Sequence, residues 1–311
     1  MPKRPLIIDC DPGVDDAIAL LLALASPDEF DLLGITTVAG NVPLALTQYN
    51  ARRIAQLAQR WDVPVYAGCP RPLLRAPITA EHVHGQTGLD GAVLPEPTQP
   101  LQTQHAVAFL IDQCQAAQAP ITLATLGPLT NLAVALIQAP EIAKNIDQVV
   151  TMGGALGRGN VTPNAEFNIY ADPHAARVVV EAGLPFTLIP LDVTHQVITT
   201  PERLTALEQL GTPVGQAAAG LLRYYGQREG ECYGLAGAPL HDPCVMAYLL
   251  QPDLFSGRPM HLAIETDSPL CLGRTVANPK PAEDSPANAT VIETVNAPGF
   301  YHLLTERLAN L

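Results

Sequence analysis

Four aspartates fall within eight residues in the run Asp9-Cys10-Asp11-Pro12-Gly13-Val14-Asp15-Asp16. Carboxylates packed this densely repel one another, and a cation gathering them relieves that repulsion. Hard oxygen donors select Ca2+ or Mg2+ rather than zinc. Pro12 and Gly13 let the backbone turn sharply, so carboxylates on either side converge. Aspartates are also favoured at a helix N-terminus, where they meet the positive end of the dipole. That accounts for one or two of the four, not for all. An EF-hand loop begun at Asp9 is excluded, because Pro12 stands at its fourth position and Leu20, not Glu, at its twelfth.

The surrounding chain reads as the frame for this run. Leu6–Ile8 is a short apolar strand before it, and Asp16–Ala25 has helical spacing after it. Strands are expected at Leu32–Val38, Val63–Ala67, Ile121–Thr125, Asp147–Met152 and Phe186–Leu191, and helices at Ala45–Arg60, Ala106–Ala116, Leu129–Ile137 and Pro173–Glu181. Apolar strands that do not alternate, separated by helices, predict an α/β fold with a mostly parallel central sheet covered on both faces, an open Rossmann-like core. Ligands in such sheets sit beyond the strand C-termini. From Pro201 the chain turns more helical, with Pro201–Leu210, Val214–Gln227 and Pro243–Leu250. His261–Glu265 and Thr290–Thr294 read as an antiparallel pair, Asn278–Pro286 as a surface loop or hairpin tip, and Phe300–Leu308 as a last helix. No repeat or linker interrupts the chain, so residues 1–311 are expected to form one domain.

Composition narrows the function classes. The chain has 311 residues, 17 Lys+Arg against 30 Asp+Glu, and a formal net charge of −13. Nucleic-acid binding needs cations that displace counterions from phosphates, and anionic membranes need the same, so both partners are excluded. A mean hydropathy of +0.16 argues against disorder. Lys3 and Arg4 precede an apolar run, but Asp9 ends it well short of a signal-peptide core. The apolar stretch Ala17–Ala25 is too short to span a bilayer. The six cysteines form no Cys-x-x-Cys pair and read as reduced thiols of a cytoplasmic protein.

Further motifs follow in order: Thr36-Thr37-Val38-Ala39-Gly40-Asn41, His84-Gly85-Gln86-Thr87-Gly88, Gly127-Pro128-Leu129-Thr130-Asn131, Met152-Gly153-Gly154, Glu166-Phe167-Asn168-Ile169 and His241-Asp242-Pro243. With Asp9–Asp16 they span nearly the whole chain, and together they resemble the inosine–uridine-preferring nucleoside hydrolases. The resemblance implies Ca2+-dependent hydrolysis of the N-glycosidic bond of ribonucleosides. By position, Asp11, Asp16 and Asp242 would supply carboxylate ligands to Ca2+, together with the backbone carbonyl of Leu126. Relatives often carry Thr at that last position, a change that a carbonyl ligand tolerates. Asp11 would also serve as general base toward the water that attacks the anomeric carbon. Asp15, Asn41, Asn160, Glu166 and Asn168 would hold the ribose hydroxyls, with Phe167 packed near the sugar. Read alone, Asn41 and Asn160 are ordinary turn formers, Phe167 is a core residue, and Glu166 and Asn168 share one face of a short strand-like run.

A departing base needs protonation or a strong hydrogen bond, and histidine is the usual donor near neutral pH. By the same resemblance His241 would be the leaving-group acid, His84 a second active-site histidine, and Tyr233 a contact to the base. His82 reads as a solvated loop residue. The runs Gly159–Glu166 and Tyr233–Gly237 resemble pyrimidine-preferring members, whereas His241-Asp242-Pro243-Cys244 resembles members that also take inosine. Uridine and cytidine are therefore the expected substrates, with inosine a further one. Relatives are homodimers or homotetramers, which implies an oligomer. Two other readings of the same residues are a non-catalytic nucleoside- or ribose-binding module and a Mg2+-dependent haloacid-dehalogenase-like phosphatase. The second wants Thr or Val two residues after its second Asp, where Gly13 stands.

Overall fold

The computed structural model describes residues 3–233 and 237–311, without the side chains of residues 229–233. Among the described residues, nine strands share one sheet: β1 Arg4–Cys10, β2 Phe30–Thr37, β3 Val65–Ala67, β4 Ile121–Thr125, β5 Ile146–Met152, β6 Phe186–Ile189, β7 Phe255–Ile264, β8 Thr275–Asn278 and β9 Ala289–Val295. Their spatial order is β3-β2-β1-β4-β5-β6-β9-β7-β8. Every neighbouring pair from β3 to β9 is parallel, and β7 runs antiparallel to both of its neighbours. The mostly parallel α/β architecture is the one the sequence predicts.

Central strands bury both faces because helices cover both sides of the sheet. In β1, Leu6, Ile8 and Cys10 face one apolar core while Ile7 faces the other. The first core includes the helix Val14–Leu24, which is buried at every residue. Beyond Asp15 and Asp16 in its first turn this helix is apolar all round, so it has no solvent face and sits inside the protein. The helix Pro243–Leu250 packs against it. The second core is filled from Ala106–Ala116, Thr130–Gln138 and Pro173–Val180.

Three differences from the sequence reading have physical causes. The late antiparallel pairing exists, but its register differs: Ser256–Pro259 lie beside Thr290–Thr294, while His261–Ile264 pair with β8, which the sequence reading leaves out. Strand partners are chosen by long-range register, which local β-propensity does not encode. The helix expected at Val214–Gln227 runs Pro213–Tyr233. Glu166 and Asn168 do not lie on a strand: Glu166 caps the short helix Phe167–Ala171. Among the described residues, no helix is long and apolar enough to cross a membrane.

Candidate active site

The site forms where β1 ends and the first buried helix begins. Asp16 is the third residue of that helix, and its carboxylate accepts the Gly13 backbone N–H at 3.0 Å and the Asp11 N–H at 3.1 Å. It also accepts the Asn41 side-chain amide at 3.0 Å. Asp16 is thus a helix-capping aspartate and a member of the acidic cluster at once. Asp9 is different: one of its oxygens accepts Thr36 Oγ1 at 2.6 Å and Asn131 Nδ2 at 2.7 Å, which ties it to the sheet. Burial pushes its pKa up to about 6.

Asp11 is fully buried. Its Oδ2 accepts the Asn41 backbone N–H at 2.7 Å, while Oδ1 has no hydrogen-bond partner among the described residues. The carboxylate lies in a cradle that only glycine leaves open. A Cβ on Gly40 would fall 1.9 Å from Oδ2, and one on Gly127 would fall 2.3 Å from Oδ1. Burial, and then the nearby Asp16 charge, hold the Asp11 pKa well above the usual carboxylate range.

Asp15, Asp16 and Asp242 bring one carboxylate oxygen each within 4.8 Å of one another. This triple contains Asp15, which the sequence reading gives to ribose, in place of Asp11. Asp242 precedes the helix Pro243–Leu250, whose packing on Val14–Leu24 delivers it. Burial and the charges of Asp15, Asp16 and Asp11 raise its pKa, and it shares a hydrogen bond with Asp16. No lysine or arginine forms an ion pair with Asp11, Asp16 or Asp242 among the described residues. Burying several carboxylates without compensating charge costs several kcal/mol each, roughly, and the cost falls when they coordinate a cation. The orphaned Asp11 oxygen and the all-oxygen donor set fit a hard divalent metal.

A pocket of about 740 Å³, counted to its solvent mouth, opens above these carboxylates. Asp15, Asn41, His84, Leu126, Asn160, Glu166, Phe167, Asn168, His241 and Asp242 all line it, whereas Asp11 and Asp16 lie behind the lining. On one wall Glu166 accepts the N–H groups of Asn168 at 2.9 Å, Gly154 at 2.8 Å and Ile169 at 3.1 Å. Asn168 donates to the Leu126 carbonyl at 2.6 Å, which fixes that oxygen while leaving it a second lone pair. Asn160 accepts the Phe167 N–H at 2.9 Å and holds that aromatic at the rim.

Two histidines line the same pocket. His84 Nδ1 accepts the Val14 N–H at 3.1 Å, so the ring is neutral and its proton is on Nε2. Burial lowers its pKa to about 3. His241 contacts Thr194, with 2.7 Å between Nδ1 and Oγ1. Burial, with His195 and His84 nearby, holds His241 well below the usual histidine range. Sequence reasoning missed Tyr225, which stacks on His84 with ring centroids 5.5 Å apart. Its only signal was an aromatic on a helix. His82 is exposed, in the short helix Glu81–His84, and borders the pocket mouth, where Arg228 donates to its carbonyl at 2.8 Å. The Tyr233 side chain lies outside the described residues.

Known proteins resemble this chain over nearly its whole length. The family model described as inosine-uridine preferring nucleoside hydrolase matches residues 6–302. The chain is 47% identical over 309 residues to the pyrimidine-specific ribonucleoside hydrolase RihA of Photobacterium profundum, covering 99% of each chain. It is 43% identical over 306 residues to the pyrimidine-specific ribonucleoside hydrolase RihB of Escherichia coli, covering 98% of this chain and 97% of that one. Among solved structures, the purine-preferring ribonucleoside hydrolase from Gardnerella vaginalis superposes with a TM-score of 0.92 at 32% identity, covering 98% of both chains.

Proposed function

We propose a detailed function from one premise: the chain belongs to the inosine–uridine preferring nucleoside hydrolase family. It is a ribonucleoside hydrolase, an enzyme that cleaves N-glycosidic bonds. Our reading is that it is Ca2+-dependent and prefers uridine and cytidine, with inosine as a further substrate. The preference is supported by RihA and RihB, whose identities of 47% and 43% exceed the 32% of the purine-preferring neighbour.

The observation that carries the reading is the buried Asp11 carboxylate, one oxygen held by Asn41 and the other left without a partner beneath the pocket. Asp11, Asp16, Asp242 and the Leu126 carbonyl would hold the cation, and Asp15 lies close enough to join them or to grip ribose. When bound, Ca2+ would neutralise the crowded carboxylates, hold the sugar diol and acidify water. Asp11 takes the proton of the water whose oxygen adds to the anomeric carbon. The bond from that carbon to the base breaks, and its electron pair leaves with the base. His241 and His84 face the departing base as hydrogen-bond donors. Asn41, Asn160, Glu166 and Asn168, with Asp15, orient the ribose, and Phe167 covers it. Grips on the ribose strengthen as positive charge develops on the ring.

Nine strands in one sheet support treating residues 1–311 as one domain. A cytoplasmic location and a homodimer or homotetramer complete the proposal, the latter testable by sedimentation. The decisive experiment is ribose release from uridine, cytidine, inosine and adenosine, assayed as purified, after chelation, and with Ca2+ restored. We expect the rate to vanish on chelation, return with Ca2+, and rank the pyrimidines first. Tight nucleoside binding with no ribose released would overturn the hydrolytic reading in favour of a binding module. Phosphate release from an ester with Mg2+ would favour the phosphatase instead.

A further inference from the structure

Thr194 ends the short helix Leu191–Thr194 that follows β6, and it is fully buried. Its hydroxyl lies 2.7 Å from His241 Nδ1, and its other acceptor, the Leu191 carbonyl, is 3.5 Å away. The second distance is too long for a good O–H···O bond. The hydroxyl proton therefore goes to Nδ1, and in a neutral imidazole whose Nδ1 accepts, Nε2 carries the hydrogen. His241 lines the pocket. His84 reaches the same tautomer by another route, since its Nδ1 accepts a backbone N–H from Val14. Of the two rings, only His241 owes its tautomer to a side chain.

We propose that Thr194 is a positioning residue, whose hydroxyl donates to His241 Nδ1 and thereby fixes Nε2–H as the donor facing the departing base. The inference rests on the reading of His241 given above. When the glycosidic bond breaks, its electron pair moves onto the base, and a hydrogen bond from Nε2–H stabilises that pair. Without the hydroxyl the ring settles into the other tautomer or rotates. It then offers the base a lone pair.

The test compares uridine with p-nitrophenyl riboside, whose leaving group keeps its charge without help. The readout is the ratio of the two kcat values in Thr194→Val, Thr194→Ser and His241→Ala. A structural defect lowers both rates together and leaves the ratio alone. We expect Thr194→Val to lower the ratio by about 10- to 100-fold, as His241→Ala does, and Thr194→Ser to restore most of it. If Thr194→Val does not fold, Thr194→Ala removes the same hydroxyl with less crowding and is read the same way. A ratio that falls in His241→Ala but not in either Thr194 variant overturns the role of Thr194 while leaving that of His241 standing. A ratio unmoved in His241→Ala overturns both. Failure of Thr194→Ser to recover the ratio also overturns the proposal.

Discussion

Replacing Gly40 with alanine tests the carboxylate cradle directly. The new Cβ would sit 1.9 Å from Asp11 Oδ2, 2.8 Å from its Cγ and 3.0 Å from Pro128 Cδ. Ordinary heavy-atom contact is about 3.5 Å, so the carboxylate must retreat by on the order of 1.5 Å. Gly40 does not occupy the left-handed region, so alanine meets no backbone strain and the effect is purely steric. The retreat breaks the 2.7 Å bond from the Asn41 N–H and displaces the orphaned oxygen. A misplacement of ~1 Å at a reacting group costs roughly 100-fold, so kcat for uridine should fall at least that far. Overpacking costs about 1–3 kcal/mol, offset by ~0.4–1 kcal/mol from the stiffer unfolded chain, so the protein should remain folded. Steady-state ribose release and urea unfolding measure the two quantities. Gly226→Ala is the control, because no atom of the described residues lies within 4 Å of a Cβ there; it should keep the parent rate. A Gly40→Ala protein that turns over uridine at nearly the parent rate would refute the role given to Asp11.

Asp11→Asn should lower kcat by about 10²–10⁴-fold, while thermal melting of the chelated protein moves upward because a buried, crowded charge has been removed. A parent-like rate in ribose release would remove Asp11 as the base. Glu166→Gln turns an amide toward the three N–H groups that the carboxylate accepts, and should cost on the order of 2 kcal/mol in urea unfolding. The chelated protein should lose stability as pH rises. Asp9 is raised from 3.8 to about 6, so its stabilising contribution is full below the unfolded value and is lost as pH climbs through about 6. Asp11 and Asp242, raised further by burial and by each other's neighbourhood, extend that loss upward. Melting curves at several pH values with and without Ca2+ check this, Ca2+ being expected to flatten the slope. Ca2+ binding should also release protons and tighten with pH, which calorimetry in two buffers of different ionisation enthalpy detects.

Local signals were the legible ones. The acidic run is contiguous, so its crowding is visible without a fold, and the strands of the parallel core are apolar enough to identify by eye. Residues that act across space were harder. That Gly40 and Gly127 make room for Asp11 depends on β2 and β4 ending beside β1, which no local pattern encodes. Glu166 and Asn168 are two residues apart, a spacing that serves a strand face and a helix cap equally, and the run is too short for periodicity to decide. Asp242 stood out only through resemblance, since a single Asp before a proline is common. The hydroxyl behind His241 belongs to a buried threonine some 47 positions away, with nothing in its neighbours to mark it.

Asp242 and the aspartates after β1 are joined by the docking of Pro243–Leu250 onto Val14–Leu24, which are separated by most of the chain. During synthesis the first aspartates emerge long before their partner. The early strands and the first helix therefore begin to assemble while the like-charge repulsion is still incomplete. The full electrostatic cost arises only when the late helix closes on the core, at which point the cation-binding pocket also comes into being. Metal capture is thus tied to a contact between the first helix and a late one, and a chain truncated before residue 242 would have neither the full repulsion nor the ion that relieves it.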